Sequence, residues 1–208
     1  MTEPLRLDFF LSYGSTYSYL AVMRLPRLAE AAGVEVVWRP FSLVDLLTEA
    51  GLAEGPFTPF PNKLAYMWRD LERRARKYGL PFASRPDYPW PYKEAGLIAI
   101  LAQQEGWVVP FSQHVYRAAF GHGAVLGAPE TLQAAIRAAG QDPARVMDAV
   151  TSDDIGELWA ANTKSARENR IFGAPSFVVE DELFWGDDRI EDALDWATAP
   201  HGSPRERL

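Results

Sequence analysis

In a chain of 208 residues without a cysteine, the side chains placed to do chemistry are hydroxyls. Residues 12–21, SYGSTYSYLA, set four small hydroxyls and three tyrosines where an apolar run ends and a helical pattern begins. The carboxyl end of a strand feeding the start of a helix is where open α/β sheets bind ligands. Free N–H groups and the helix dipole favour an anion there. Ser15 can add one further hydrogen bond, and it serves equally well as the helix N-cap. Ser18, one turn on, reads as a packing or capping residue. The absence of cysteine removes disulfides, thiolate nucleophiles and cysteine metal sites together. His114, His122 and His201 share no close metal-ligand spacing and read as surface or capping residues, so no metal site is expected.

Other candidates lie further along. Lys63 sits at the start of a long helix, where the dipole disfavours a cation; it is either solvated or there to meet a carboxylate. Asn62 reads as that helix's N-cap or as a binding residue. Arg69 and Arg73 are spaced to pair with Asp70 or Glu72. In SRPDYPWPY, Tyr88, Trp90 and Tyr92 offer rings on which an aromatic acid can stack, or simple loop packing. Asp187 and Asp188 precede the last helix, and Asp188-x-x-Glu191 has the form of a variant capping box.

The elements that must position these residues are strands and helices in a particular order. Residues 5–13 read as a buried strand. Apolar residues from Thr16 recur with helical spacing until Gly33, and 34–41 reads as a second strand closed by Pro40. Strand, helix, strand in this order makes the two strands parallel. Residues 42–61 look irregular. Helices are expected over 62–78, 92–105, 110–120, 130–139, 143–150 (with Asp142 and Pro143 at its start) and 153–170. Strands return at 176–180 and 182–185, followed by a helix over 189–198 and a frayed tail from Pro200. The pattern predicts an α/β sheet domain carrying a helical insertion.

Composition narrows the function. A net charge of −7 argues against binding nucleic acid or an anionic membrane surface. No apolar run reaches the roughly 18 residues that span a bilayer. The opening MTEPLRLDFF lacks the order of a signal peptide, and a cytoplasmic protein is the expectation.

The elements STYSYLA, FGAPSFVV and FWGDDRIEDAL, with Asn62, Lys63, Tyr66 and Asp70 opening the long helix, together resemble one branch of the thioredoxin fold. That branch holds DsbA-like proteins, kappa-class glutathione transferases and 2-hydroxychromene-2-carboxylate isomerases, and the resemblance covers nearly the whole chain. It implies a DsbA-like α/β fold, with residues 1–42 and 154–208 as the thioredoxin-like domain and 43–153 as an all-helical insertion. Oxidoreductase relatives carry Cys-x-x-Cys where this chain has Ser15-Thr16-Tyr17-Ser18, so dithiol–disulfide exchange is chemically closed to it. In the isomerase and transferase branches the thiol belongs to bound glutathione.

The resemblance therefore implies Ser15 as catalytic stabiliser of the glutathione thiolate, with Ala174, a cis Pro175, Asp187, Asp188 and Lys63 binding glutathione or another small thiol. Lys63, Asn62, Tyr88 and Trp90 would meet an aromatic acid substrate. The implied activity is isomerisation between a cyclic hydroxychromene carboxylate and an open-chain benzylidenepyruvate, as a step of aromatic catabolism. A kappa-like glutathione transferase and a redox-inactive thioredoxin-fold binding protein stay open beside it. Members of the family are often homodimers, but no residue here establishes association. Two departures from the family pattern, Thr16 in place of proline and Ser12 in place of an acidic residue, leave the serine hydroxyl intact and bear on the substrate.

Overall fold

The computed structural model describes residues 5–53, 55, 57, 59–84, 88–89 and 91–199. Strand β1 (Arg6–Leu11) alternates as a strand buried on two sides must: Leu7, Phe9 and Leu11 enter one core, and Phe10 enters another. Helix α1 (Thr16–Ala32) carries the chain back to β2 (Glu35–Pro40), which pairs with β1 in parallel. Gly33 closes α1 in the left-handed region, at φ 68°, and its N–H reaches the Ala29 and Glu30 carbonyls. Pro26 lies inside α1 and has no N–H to offer the Val22 carbonyl; Gln113 Nε2 approaches that oxygen at 3.5 Å.

Among the described residues the chain then forms α2 (Leu43–Glu49), α3 (Pro61–Lys77), α4 (Lys93–Glu105), α5 (Val108–Tyr116) running on into a π-helical turn (Arg117–Gly121), α6 (Pro129–Ala138), α7 (Pro143–Ala149) and α8 (Asp153–Glu168). Asp142 caps α7 through bonds to the Ala144 and Arg145 N–H groups, as its sequence position predicts. The chain then enters β3 (Ser176–Val179) and β4 (Glu182–Trp185), antiparallel to β1 and to β3 respectively, giving the sheet order β2-β1-β3-β4. The last helix, α9 (Ile190–Thr198), packs with α1 and against β1 and β3. On the opposite face, Phe10 and Val178 meet Phe41, Leu46, Ala166 and Ile171, from the β2–α2 segment and the end of α8. Phe9 ties the centre together, stacked on Phe177 at 5.2 Å and edge-on to Trp38 at 5.0 Å.

Three local expectations are corrected. Residues 43–49 are helical, because Leu43 and Leu46 share one face that docks in the second core. Asn62 is not a cap: α3 starts at Pro61, whose missing N–H is harmless at a first position, so Phe60 takes the cap place and Asn62 lies exposed within the first turn. The Asp188–Glu191 capping box does not form; a 3₁₀ turn (Asp187–Arg189) leads into α9, and Glu191 pairs with Arg24 instead.

Candidate active site

The turn between β1 and α1 is pinned from several directions. The Ser15 N–H donates to Ser12 O at 2.8 Å. Tyr116 donates to that same carbonyl at 2.8 Å, and Tyr88 donates to Gly14 O at 2.8 Å. Tyr13 shares a 2.6 Å bond with Ser112 on α5. The Tyr92 ring lies so close beneath Gly14 that a Cβ there would stand 2.6 Å from its Cε1. The Tyr92 hydroxyl takes the Val44 N–H at 3.2 Å. Burial raises the phenols of Tyr13, Tyr92 and Tyr116 and pushes Tyr88 up to about 12. These phenols stay protonated near neutrality; Tyr88 and Tyr116 donate to the turn, and Tyr92 accepts from Val44.

Ser15 is the N-cap of α1, as its position predicts. It has extended dihedrals (φ −94°, ψ 123°), and its Oγ accepts the Ser18 N–H at 3.3 Å. The same oxygen donates to Ala174 O at 2.7 Å. The Ala174–Pro175 bond is cis, as expected. The Ala174 carbonyl, on the residue expected to bind glutathione, is thus already engaged by the Ser15 hydroxyl. Ser15 is buried, 7% exposed. A cavity of about 720 Å³ lies behind Tyr92, against Val44, Leu97 and Trp159, and the Tyr92 ring separates it from the Ser15 turn.

Helix α3 crosses the start of α1 with one face. Thr16 donates to Met67 Sδ at 3.2 Å, and Tyr17 donates to Asp70 at 3.0 Å. Arg74 reaches Asp187 at 2.8 Å. Lys63 stands four residues before Met67, so it shares this face one turn above Thr16. It is exposed, with its ammonium 5.5 Å and 6.0 Å from the centres of the Phe57 and Phe60 rings. Arg69 pairs with Glu72, and Arg73 reaches Asp70.

The two aspartates separate sharply. The Gly186 N–H bonds Pro175 O at 3.0 Å, so the acidic turn abuts the segment that holds Ser15. Asp187 is fully buried. Its Oδ2 faces Arg74 at 2.8 Å and Arg24 at 3.7 Å, and its Oδ1 has no partner. Burial pushes this carboxyl up to about 7, against the pull of the two arginines. The Asp188 side chain is 47% exposed, with Arg189 at 3.6 Å and Arg74 at 3.9 Å from its carboxylate. The ion-pair set of Arg24, Arg74 and Asp187 is invisible to local motif reading, although the Lys63, Met67, Asp70 and Arg74 spacing does mark one helix face.

Tyr88 and Tyr92 brace the turn instead of offering free rings; Tyr88 meets Trp68 edge-on at 5.5 Å. Trp90 and His201 lie outside the described residues. Among the described residues no three His, Asp or Glu side chains gather as metal ligands, and no helix is long and apolar enough to cross a membrane.

The DsbA-like thioredoxin domain model matches residues 6–195. A 2-hydroxychromene-2-carboxylate isomerase of Sphingobium xenophagum is 30% identical over 190 residues, covering 89% of this chain and 94% of that one. The chain belongs to the DsbA-like thioredoxin family, on its 2-hydroxychromene-2-carboxylate isomerase branch. A protein of the same name from Pseudomonas putida is 28% identical over 88% of this chain and 90% of its own. The solved structure of a 2-hydroxychromene-2-carboxylate isomerase superposes with a TM-score of 0.78 at 27% identity, covering 90% of this chain and 91% of that one. The isomerase branch thus spans the sheet, the intervening helices and the Ser15 turn together.

Proposed function

We propose that this isomerase-family chain acts on 2-hydroxychromene-2-carboxylate-like aromatic acids with glutathione, or a similar small thiol, as its cofactor. The observation that supports the reading best is the Ser15 hydroxyl. It stands at the positive end of a 17-residue helix and against the carbonyl of Ala174, in a chain without a sulfhydryl.

The donor set suits a small thiol peptide. Ser15 and the first-turn N–H groups of α1 face a developing sulfur anion, and both lower its proton affinity. The exposed Asp188 carboxylate suits the ammonium of a γ-glutamyl group. Asp187 does not: its buried carboxylate is bracketed by two arginines, and its part is to hold Arg74 and Arg24 in place. Ala174 and Pro175 set the edge along which a peptide backbone lies. When bound, glutathione supplies the nucleophilic sulfur whose reversible addition lets a conjugated double bond rotate.

The chain's own contribution is placement. Ser15 must turn its hydroxyl from Ala174 O to the ligand, a change of one side-chain torsion. Lys63 on the facing helix is the cation for the substrate carboxylate, and Asn62 beside it is exposed. The pinned turn keeps the serine from drifting once its bond to Ala174 is released.

The test is turnover of 2-hydroxychromene-2-carboxylate with and without glutathione, beside Ser15→Ala and calorimetric titration with glutathione. Thiol-dependent turnover that collapses in Ser15→Ala supports the reading. Turnover and thiol binding that ignore both changes refute it.

A further inference from the structure

Two aromatic rings lie open beside the Ser15–Ala174 contact. Phe172 is 58% exposed and Trp185 is 53% exposed, their ring centres 5.0 Å apart and their planes inclined by 60°. Together they form one small exposed apolar patch. Trp185 ends β4 opposite Ser176, and its indole lies over Gly173: a Cβ there would stand 2.4 Å from Nε1. The missing side chain at 173 is what brings the indole down onto the backbone. Ala174 comes next, with its carbonyl on the Ser15 hydroxyl. The open rings therefore continue the reaction site through two consecutive residues.

The size of the patch identifies its occupant. Two half-exposed rings present about 200 Å², far below the roughly 800 Å² per partner of a stable protein interface. Two planes at this inclination form a corner, in which one planar ring can stack on one wall and meet the edge of the other.

We propose that Phe172 and Trp185 form the subsite for the aromatic ring of the acid substrate, so that planar aryl acids are taken in preference to aliphatic ones. The proposal rests on Ser15 being the reaction centre.

Phe172→Leu and Trp185→Leu keep apolar bulk and remove a ring face. Each is expected to raise KM for 2-hydroxychromene-2-carboxylate about tenfold, with kcat within about twofold and the calorimetric affinity for glutathione unchanged. Cinnamate, an aromatic acid used as a direct probe, is expected to quench tryptophan fluorescence saturably in the parent chain. The quench should vanish in Trp185→Phe, which removes the indole that reports the contact. An unchanged KM in both leucine variants, or an undiminished cinnamate quench in Trp185→Phe, overturns the subsite. If the parent chain turns over no hydroxychromene carboxylate, the functional reading fails by itself, and the cinnamate titration still decides whether the rings bind an aryl acid.

Discussion

Ser15 makes two bonds with one oxygen, accepting from the Ser18 N–H and donating to Ala174 O. Ser15→Ala removes the cap and the donor together. The cap alone is worth about 1 kcal/mol, which urea denaturation measures. Loss of a donor aimed at a developing anion costs about a hundredfold or more in turnover, so the catalytic loss should far exceed anything the stability change explains. Tyr88 acts one step away. Its hydroxyl pins Gly14 O while the other end of the same peptide, the Ser15 N–H, is held by Ser12 O. Tyr88→Phe frees one side of that peptide. Amide hydrogen exchange at Ser15 should accelerate, and kcat should fall by roughly fivefold with thiol affinity retained. Unchanged exchange would mean that the tyrosine does not hold the turn.

At the scale of elements, the site is a meeting of β1, α1, α3 and the two tyrosines that precede α4. Gly14 is required by space, not by its dihedrals, because the Tyr92 ring occupies the position of a Cβ. Gly14→Ala should therefore cost about 1–3 kcal/mol of stability and displace the Ser15 turn; thermal unfolding and turnover read the two effects. A variant as stable and active as the parent would show that Tyr92 gives way freely. This contact was not legible in the sequence. SRPDYPWPY reads as a loop with stacking rings, and nothing local says that Tyr88 and Tyr92 are spent on residues 74 and 78 positions earlier. Ser15, Gly33 and Asp142 were legible, since a cap or a helix stop is decided by a few neighbouring backbone groups. The misplaced cap at Asn62 has the same local origin: Asn and Pro at adjacent positions both signal a helix start, and Pro61 takes it.

For the whole molecule, Asp187 couples the acidic turn before α9 to α1 through Arg24 and to α3 through Arg74. Asp70 on α3 and Asp188 beside it add like charge, and Tyr17 stands over the same network. Burial raises the Asp187 carboxyl from 3.8 to about 7. The folded state therefore holds a proton that the unfolded state has released between those values. That contribution to stability is fully present below about pH 4, falls as pH rises and is lost once pH passes 7. The total is at most about 4 kcal/mol. Urea titrations at pH 5 and pH 8 should show Asp187→Asn gaining stability relative to the parent at the higher pH. A difference independent of pH would place the carboxyl at an ordinary value, held ionised by the two arginines.

What the sequence determined by itself was local or combinatorial: the strand and helix periods, the caps, the parallel β1–β2 pair, the absence of any sulfhydryl, and the ordered motifs that tie the chain to its family. Each depends on residues within a turn or two of one another, or on element order, which the handedness of a βαβ connection makes decisive. The tertiary structure decided which of two adjacent aspartates is buried and which meets solvent. It also decided that the Ser15 hydroxyl rests on Ala174 O, that two tyrosines brace the turn, and that Phe172 and Trp185 stand open next to it. Those outcomes depend on contacts between residues tens to more than a hundred positions apart, where burial and close approach, not residue type, set the energy of each group.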